Sequence, residues 1–568
     1  MTMIRIGTRT SNLALWQAKS VQLRLDENGL QSQIVEIVSD GDQSLSSNLS
    51  DQLGQFVKSV DDQLINRGID IAVHSSKDVP AEYHDSITCL AYLERGSTND
   101  IILFKNSANN QNLAQVLNHS SASSFEQVLS AIPEGGKLGT SAVRRQSFFL
   151  AHRKDVLPLA VRGKVETRIQ KLIDGVVDAV ILAEAGLQRL NDINSLSNEA
   201  LGLGAHRIPP AHWPTAPGQG AICVHCASDR IDELSKIRDI LNHKQTEIDI
   251  SFEKDLLKKL GGGCQFPVGI ESSMGKVSGL IAPQNWRERF ASGRDYKLRQ
   301  ITENYDLMDL KFDAIEDSPN RIKSGPKIIS TLNSDRMQKS LSNIGIPVVN
   351  SPVIELDLIP QNWPQVTIDR NVPKAKWPLL VLTSPFSAKS ASMMASEIPN
   401  IERIMWLAIG EGTARSCFRL GYPASICADA RNRVELFDFI VDNISTDIPL
   451  YIPMSSLSPI EFVQSLEGAG YTVHCWIAYT NSPKRVTGIE VDSDDVLLIS
   501  SPSSAKAWIE NDLPIPDNVL CMGDSTKTSI EVLDVFNQTK ISVLEGPTVS
   551  GVASWWALEM EERKCDLE

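Results

Sequence analysis

Short apolar runs alternate along most of this chain with stretches whose apolar residues recur every three or four positions. The opening MIRIGT has the pattern of a strand, and LALWQAKSVQLRLDENG has helical spacing up to Gly29, a plausible helix C-cap. KLGTSAVRRQSFFLAHR (137–153) repeats this order, with Ser141 as a candidate N-cap. IDIAVHSSKDVP (69–80) and VDAVILAEAGLQRL (177–190) are predicted buried strands that run into loops. The alternation predicts parallel α/β domains, whose ligands bind beyond the carboxyl ends of the strands.

The pattern changes after about Ser272 to short strands with polar turns. A polar stretch, DAIEDSPNRIKSGP (313–326), then precedes a new apolar run, KIIST. A long polar segment between two apolar patterns is typical of a linker. We therefore place a domain boundary at 313–325.

Beyond that boundary the chain repeats itself. TSPFSAK (383–389) returns as SSPSSAK (500–506), and GEGT (410–413) returns as GDST (523–526). Each copy follows a short apolar strand and opens a predicted helix. Shared order and spacing favour two related α/β lobes, although chance similarity of common turn residues is an open alternative.

Length, charge and cysteine content narrow the class of protein. A chain of 568 residues exceeds what one core usually serves, so several domains are expected. The net charge of -15 argues against nucleic-acid or membrane-surface partners, and no apolar run has the length of a membrane span. The start MTMIRIGTRTSN does not resemble a secretory signal, and nine irregularly spaced cysteines favour reduced thiols, so we expect a cytoplasmic protein.

Despite the acidic total, one region is strongly basic. The segment 137–171 contains nine basic residues and only two acidic ones. The basic residues are Lys137, Arg144, Arg145, Arg153, Lys154, Arg162, Lys164, Arg168 and Lys171. Such a patch suits carboxylates or phosphates.

Three segments of the first half carry candidate chemistry. LGGGCQFPVG puts Cys264 behind three glycines, where a bulky group can approach the thiol; an incidental loop cysteine is the alternative. HSSKDVP places Lys77 beside Asp78 at a strand end, where an ordinary ion pair is the alternative. SAVRRQ contains the paired Arg144 and Arg145, and VRGKVETR contains Arg162 and Arg168. These arginines suit anion binding, and a solvated basic face is the alternative.

Together these segments resemble hydroxymethylbilane synthase (porphobilinogen deaminase) over residues 3 to about 312. The matching stretches are IGTRTSNLALWQA, DIAVHSSKDVP, LGTSAVRRQ, VRGKVETR, DAVILAEAGLQRL, PGQGAI and GGGCQFPVG. The resemblance implies two α/β lobes facing each other across a cleft, as in periplasmic binding proteins, and a small α+β domain bearing the cysteine. It also implies a dipyrromethane cofactor joined to Cys264 by a thioether, onto which four porphobilinogen molecules are added.

The same resemblance makes Asp78 the principal catalytic acid. Loss of ammonia from porphobilinogen needs a protonated leaving amine, and a carboxylate also stabilises the azafulvenium cation that forms. The groups implied to hold cofactor and chain carboxylates are Lys77, Arg144, Arg145, Arg162 and Arg168. Those implied to hold the incoming substrate are Arg9, Ser11, Gln17 and Lys58.

The sequence departs from this family at several positions. Leu53 and Asp40 stand where basic residues are expected, which removes positive charge near the expected mouth of the active site. Cys223 and Cys226 spell a CxxC, but in a strand their thiols point to opposite faces, so no metal site is predicted. The segment 106–124, rich in Asn, Gln and Ser, has the composition of a surface insertion without assigned chemistry.

Residues 326 to about 560 resemble uroporphyrinogen-III synthase. The supporting stretches include LTSPFSAKSA, LAIGEGTARSCFRLGY, HCWIAYTNSP, LISSPSSAKAW, CMGDSTKT and GPTVSG. The resemblance implies two α/β lobes with hydroxymethylbilane between them, which loses water and closes with inversion of the last ring. Tyr479 is the candidate proton donor to the leaving hydroxyl, with a structural tyrosine as the alternative. Six residues at helix starts suit carboxylate binding and helix capping equally well: Thr383, Ser384, Thr413, Ser500, Ser501 and Thr526.

The two resemblances predict a multidomain α/β protein. The predicted boundaries are 1–312 for the first enzyme (lobe 1 about 1–100 and 200–218, lobe 2 about 101–199, cysteine-bearing domain about 219–312) and 326–568 for the second (lobe 1 about 326–355 and 484–560, lobe 2 about 356–483). We expect a bifunctional, monomeric enzyme that binds small molecules, without nucleic-acid or membrane partners. Two alternatives stay open: a decayed or regulatory C-terminal module behind an active first enzyme, and a non-catalytic anion-binding protein.

Overall fold

The structure is a computed structural model. It describes residues 3–38, 55–82, 84–105, 110–119, 123–260, 266–273, 276–291, 294–301, 325–369, 371–544, 546 and 548–565. The predictions for Asp40, Leu53 and Cys264 lie outside these residues. The chain divides into two compact units, Met1–Trp286 with Tyr296–Phe312, and Arg287–Asp295 with Asp313–Glu568. Within the described ranges, no helix has both the length and the apolar character to cross a membrane.

Up to residue 301 the chain alternates strands and helices as the apolar pattern predicts. The elements are β1 (Ile4–Arg9), α1 (Asn12–Glu27), β2 (Ser32–Ile37), α2 (Gln55–Ile65), β3 (Ile71–Ser75), β4 (Ile87–Tyr92), β5 (Asp100–Phe104), α3 (Leu113–Asn118), α4 (Phe125–Ser130), β6 (Lys137–Gly139), α5 (Val143–Leu150), β7 (Leu157–Leu159), α6 (Val165–Ile173), β8 (Ala179–Ala183), α7 (Glu184–Asp192), α8 (Asn198–Gly202), β9 (Gly204–Arg207), β10 (Ile222–Ala227), α9 (Ser235–Leu241), α10 (Lys244–Lys259), β11 (Val268–Ser273), β12 (Lys276–Ile281), α11 (Trp286–Ala291) and β13 (Arg299–Ile301).

These strands form three sheets. The first has the order β2-β1-β3-β10-β4 and the second the order β7-β6-β8-β5-β9, while β11-β12-β13 form a small third sheet. In the first, β1 pairs in parallel with β2 and β3, and β10 is antiparallel to β3 and β4. In the second, β6 is parallel to β7 and β8, and β5 is antiparallel to β8 and β9. Each large sheet is therefore mixed rather than purely parallel.

The sheet order corrects two predicted lobe boundaries. β9, placed in lobe 1 by the sequence analysis, pairs with β5 in the second sheet. β10, placed in the cysteine-bearing domain, pairs with β3 and β4 in the first sheet. The apolar pattern shows where strands lie, but these partners are far apart along the chain, so it does not show which sheet a strand joins.

Three local predictions were wrong in detail. The cap of α5 is Ala142, because the hydroxyl of Ser141 donates to the carbonyl of Val161 at 3.1 Å instead of capping the helix. β8 runs directly into α7 and not into a loop. α1 ends at Glu27, and Gly29, whose φ is +74°, comes one residue after the C-cap.

The two thiols of the CxxC lie on opposite faces of β10, as predicted. Cys226 packs in the core formed with α1 and α9, together with Val21 and Ile237. Cys223 packs in a separate core with Tyr92 and Ile250. The pair cannot act together on one metal ion.

The C-terminal unit is built from two further sheets. Its elements from residue 325 onward are β14 (Ile328–Ser330), α12 (Arg336–Asn343), β15 (Val348–Asn350), β16 (Ile354–Leu358), β17 (Leu379–Leu382), α13 (Pro385–Met394), β18 (Met405–Ala408), α14 (Glu411–Arg419), β19 (Ile426–Cys427), α15 (Arg433–Asn443), β20 (Leu450–Ser455), α16 (Glu461–Gly468), β21 (Val473–Pro483), β22 (Val496–Ile499), α17 (Pro502–Glu510), β23 (Asn518–Cys521), α18 (Asp524–Glu531), β24 (Lys540–Val543) and α19 (Val549–Cys565).

One sheet has the order β15-β14-β22-β23-β24 and the other β16-β21-β20-β17-β18-β19. All pairs in the first are parallel, and the second is parallel except for its edge strand β16. The repeat seen in the sequence is confirmed. In the first copy, β17 leads into α13 and β18 into α14; in the second copy, β22 leads into α17 and β23 into α18. Both copies of each motif therefore lie at the carboxyl ends of parallel strands.

Candidate functional sites

A cleft in the first unit begins at the carboxyl end of β3. Ser76–Asp78 form a single turn of 3-10 helix directly after this strand. Asp78 is exposed, whereas Lys77 is half-buried and donates to the side chain of Gln219 at 3.4 Å. The predicted side chains that line the cleft are Arg9, Ser11, Gln17, Lys77, Asp78, Arg145 and Arg168. The structure thus brings together groups that lie up to 159 positions apart in the chain.

Burial sets the charge of Lys77. Loss of hydration lowers its pKa to about 8, and the positive charge of Arg145 acts in the same direction. Asp78 and Asp100 oppose this shift by stabilising the ammonium group. Lys77 is therefore a cation at neutral pH whose charge is sensitive to mildly alkaline conditions.

The two arginines of α5 share one buried carboxylate. Nη2 of Arg144 and Nη2 of Arg145 each lie 2.6 Å from Asp100, whose side chain is inaccessible to solvent. The indole of Trp213 also donates to Asp100, at 2.9 Å. These cations hold the pKa of Asp100 far below its usual range, although burial opposes them. The interpretation of Arg144 and Arg145 as a solvated basic face is wrong, since both are about 95% buried.

Arg168 also lines the cleft, and Arg162 is its electrostatic neighbour, although Arg162 itself is not among the cleft-lining residues named above. Burial lowers the pKa of each guanidinium to about 10, and Arg168 contributes to the shift at Arg162. Asp78 raises the pKa of Arg168, while Arg145 and Arg9 lower it, so these four charges share one region. Nε of Arg168 donates to the Gly163 carbonyl at 2.9 Å, which orients its side chain.

Two residues of this cleft were missed by the sequence analysis. Arg189 of α7 lines the cleft, donates to the Gly220 carbonyl at 2.7 Å and lies over the ring of Trp16 at 5.3 Å. Gln219 links Lys77 to Asp100, donating to the carboxylate at 3.0 Å. Arg189 lies in DAVILAEAGLQRL and Gln219 in PGQGAI, two stretches that resemble the family, but their spacing gives no sign that they line the cleft.

The predicted substrate residues differ in their surroundings. Ser11 caps α1 by accepting from the amide of Ala14 at 3.2 Å, and Gln17 donates to the Ser75 hydroxyl at 2.8 Å. Lys58 is exposed on α2, and its neighbour Val57 lines the cleft. Ser11 and Gln17 therefore have structural partners as well as a place in the cleft.

The second unit places Tyr479 beside the start of α13. Its hydroxyl shares a hydrogen bond of 3.1 Å with Ser384, and its ring meets that of Phe386 edge to face at 4.7 Å. A register shift in the β20–β21 ladder pairs Ser455 with Tyr479 and skips Ala478. Such a bulge re-aims side chains, and here Ala478 and Tyr479 are both buried. Burial raises the pKa of Tyr479, so its hydroxyl keeps its proton at neutral pH.

The six predicted helix-start residues divide into three kinds. Ser384 and Ser501 are N-caps that accept from the amides of Ser387 and Ser504. Thr413 and Thr526 are each 3% exposed within α14 and α18. Ser500 hydrogen bonds with Thr331 and Ser504, while Thr383 is half-buried after β17. The capping interpretation is confirmed for Ser384 and Ser501.

A cation-lined cleft beside α/β sheets, with an exposed carboxylate among the cations, is typical of proteins that bind acidic small molecules. Comparison with known proteins gives the family. Residues 4–235 match the family model of the porphobilinogen deaminase dipyrromethane cofactor binding domain, and residues 335–551 match that of uroporphyrinogen-III synthase HemD.

Several relatives match the first half of the chain. A porphobilinogen deaminase of Geotalea daltonii is 35% identical over 280 residues, which are 49% of this chain and 78% of that protein. One of Syntrophomonas wolfei is 35% identical over 303 residues, 52% of this chain and 90% of that protein. Among solved structures, a uroporphyrinogen-III synthetase from Helicobacter pylori matches 42% of this chain and 100% of its own at 13% identity, with a TM-score of 0.30, too low to bear on the fold.

The chain belongs to the porphobilinogen deaminase family and carries a uroporphyrinogen-III synthase domain in its C-terminal half. It is a bifunctional enzyme of tetrapyrrole biosynthesis. The cofactor of the first family is dipyrromethane, attached to a cysteine. The cleft fits this group, because Lys77, Arg145, Arg168 and Arg189 line it and a dipyrromethane carries two carboxylates on each ring.

Proposed function

We propose that the first unit joins four porphobilinogen molecules into hydroxymethylbilane in the cleft at Asp78, and that the second unit closes this product to uroporphyrinogen III beside Tyr479. The observation that carries the proposal is the placement of one exposed carboxylate, Asp78, among the buried and half-buried cations of the cleft. Cations hold the acidic side chains of the substrate, and the carboxylate acts on its amine.

Asp78 has two tasks in this scheme. It stabilises the protonated amine that leaves as ammonia, and its negative charge then stabilises the azafulvenium cation. Exposure at the cleft suits both tasks, since substrate can approach the carboxylate directly. Arg9, Arg168 and Asp78 lie close enough to interact electrostatically, so the cations that attract an anionic substrate surround the carboxylate that acts on its amine.

The basic residues are proposed to hold carboxylates of the cofactor and the growing chain. When bound at Cys264, dipyrromethane supplies the pyrrole carbon to which the first substrate unit is joined. Lys77, Arg145 and Arg168 line the cleft that would receive it, and Arg189 extends this lining. Arg144 is committed to Asp100 and the Pro214 carbonyl, so we propose that it orients Arg145.

Two α/β lobes with a cleft between them, as in periplasmic binding proteins, remain our proposed domain arrangement for the first enzyme. The first lobe would hold the sheet that includes β10, and the second the sheet that includes β9. The crossing segments support this, because Gly96 donates to Gly220 at 3.2 Å and Leu93 to Ile222 at 3.0 Å where the chain passes from one sheet to the other. A monomeric, cytoplasmic enzyme is part of the proposal. The free thiols of Cys89, Cys223, Cys226, Cys417, Cys427, Cys475 and Cys521 support the cytoplasmic part of it.

In the second unit, Tyr479 is proposed to donate a proton to the hydroxyl that leaves hydroxymethylbilane. Its raised pKa keeps the proton available, and the hydrogen bond with Ser384 fixes its direction. Backbone amides at the starts of α14 and α18 would hold carboxylates of the substrate. Holding the reactive bilane in the right conformation is expected to supply much of the catalysis.

Two measurements test the proposal on the intact chain. Mass spectrometry should find an adduct of two pyrrole units on Cys264, which a non-catalytic anion-binding protein would lack. Given porphobilinogen, the chain should form mainly type III uroporphyrinogen, identified by chromatography of the oxidised porphyrins. Type I alone would mean that the second half does not cyclise, since free bilane closes by itself to type I.

A further inference from the structure

The C-terminal unit contains a cation that the proposed mechanism does not use. Arg433 is the first residue of α15 and is half-buried. Its Nη2 donates to the hydroxyl of Ser458 at 3.0 Å. Among the residues that the structure places, no carboxylate forms an ion pair with Arg433, and Glu461 acts on it only at longer range. A half-buried guanidinium bound to a neutral hydroxyl keeps donors available for an anion.

The helix itself does not explain this arginine. A cation in the first turn opposes the helix dipole, which favours negative charge there. Asn432 already caps α15 by accepting from the amides of Val434 and Glu435. The nearby Arg431 is 71% exposed and pairs with Glu435 at 2.6 Å, so its position has an ordinary explanation. The local structure of α15 therefore gives no reason for a cation at Arg433.

Arg433 is connected to Tyr479 through the loop 455–458. Ser458 follows β20, and its hydroxyl accepts from the amide of Ser455 at 3.2 Å. In the same loop, the amide of Ser456 donates to the Tyr479 carbonyl at 2.9 Å. Burial lowers the pKa of Arg433, and the nearby Tyr479 and Glu461 act in the opposite direction. The 455–458 loop, which follows β20, therefore contacts both Arg433 and Tyr479.

We propose that Arg433, together with the Ser458 hydroxyl, binds a carboxylate of hydroxymethylbilane next to Tyr479. The inference rests on the proposed cyclisation at Tyr479. A guanidinium binds a carboxylate through two parallel hydrogen bonds, so this contact sets the direction of an acidic side chain as well as its distance. Arg433 is a substrate-binding residue in this scheme, and it neither gives nor takes a proton.

The test uses the full chain with hydroxymethylbilane supplied directly. Arg433→Gln should raise the KM for type III formation roughly tenfold or more, because a charge-assisted hydrogen bond to a carboxylate is lost. Arg433→Lys keeps the charge without the paired geometry and should show an intermediate KM. Added salt should raise the KM of the natural chain more than that of Arg433→Gln, a response that a purely structural arginine would not produce.

Arg431→Gln is the matched control, since it removes an exposed arginine two positions away, and its KM should equal that of the natural chain. Porphobilinogen consumption by the first unit should be unchanged in every variant, which verifies the folding of that unit; near-ultraviolet circular dichroism does so for the second. A KM within about twofold of the natural value in Arg433→Gln, with the same salt response, would overturn the inference. If Arg433→Gln is unfolded, Arg433→Lys decides by its KM alone, and a KM within about twofold of the natural value would overturn the inference. Type I alone from the natural chain would instead mean that the proposed function of the second half has failed.

Discussion

At the scale of single residues, one buried carboxylate, Asp100, holds two arginines of the cleft region in place. The motif HSSKDVP led to Lys77 and Asp78, which line the cleft. Asp100 was not foreseen, because an aspartate at the start of an apolar strand has no distinguishing pattern, yet it binds both Arg144 and Arg145. Asp100 and Arg144 are 44 positions apart in the chain, and local sequence patterns do not reveal contacts over such a separation.

Replacement of the cleft carboxylate should separate chemistry from folding. Asp78→Asn keeps the size of the side chain but loses the charge that stabilises the ammonium and the cation. Turnover of porphobilinogen should fall by about two orders of magnitude, while the adduct on Cys264 remains. Steady-state rates and mass spectrometry measure the two effects. Asp174→Asn, at the C-terminal end of α6, should behave as the natural chain; equal rates in both variants would assign the proton transfer to another group.

The lowered pKa of Lys77 predicts a pH-dependent KM. Below its pKa of about 8 the ammonium is charged and attracts a substrate carboxylate, and above it the charge is lost. The KM for porphobilinogen should therefore rise several-fold between about pH 7 and about pH 9. Lys77→Arg keeps its charge throughout this range, so its KM should change much less. A parallel rise in both proteins would place the titrating group elsewhere.

At the scale of elements, the order of strands and helices was predictable and their sheet membership was not. Apolar runs located β3, β8 and the repeated strands of the C-terminal unit. Membership of β9 and β10 depends on pairing with β5 and β3, which are about 100 and 150 positions away. Short-range patterns cannot supply that information.

The segments that cross between the first two sheets lie too close for a side chain. A Cβ on Gly220 would meet the carbonyl oxygens of Gly96 at 2.6 Å and Ser97 at 2.7 Å, and the φ of Gly220 is +85°. Gly220→Ala should lower the free energy of unfolding by about 3 kcal/mol. Calorimetry would show a lower transition temperature. Gly202→Ala, where nothing lies within 4 Å, should have little effect; similar losses in both would rule out the contact as the cause.

A buried cluster joins α2 to β3 and β10. Asp61 contacts His74 at 2.8 Å and His225 at 3.3 Å. Burial lowers the pKa of His225 from 6.5 to about 4, and the pKa of Asp61 falls to about 2 because both imidazoles hydrogen bond with it. Between about pH 6.5 and 4 the unfolded chain binds more protons at His225, so stability falls as pH falls, and Asp61 continues the loss below about pH 4.

Acid should therefore destabilise the first unit through this cluster. The contribution of His225 is about 3 kcal/mol between neutral pH and pH 4. His225→Gln removes the titration, so its calorimetric transition should shift less with acid than that of the natural chain. His84→Gln changes an exposed histidine and should shift as the natural chain does. Identical acid shifts in all three proteins would contradict the assignment.

At the scale of the whole molecule, the two activities can be separated by variants of the full chain. Asp78→Asn leaves the second unit intact, and Tyr479→Phe leaves the first intact. If bilane is released into solution, a mixture of the two variants should form type III uroporphyrinogen, and more of it as the Asp78→Asn protein is increased. Chromatography of the oxidised porphyrin isomers measures the fraction of type III product. A mixture that forms no more type III than Tyr479→Phe alone would mean that the intermediate does not pass between chains.

Both units belong to one polypeptide, and this fixes their stoichiometry. Expression can raise or lower the two activities only together, so the number of cyclising sites per deaminating site is the same in every cell. The balance between enzymatic and spontaneous ring closure then does not depend on the relative expression of the two activities. A defect in the first unit would reduce how much porphyrin is made, whereas a defect in the second would change which isomer accumulates.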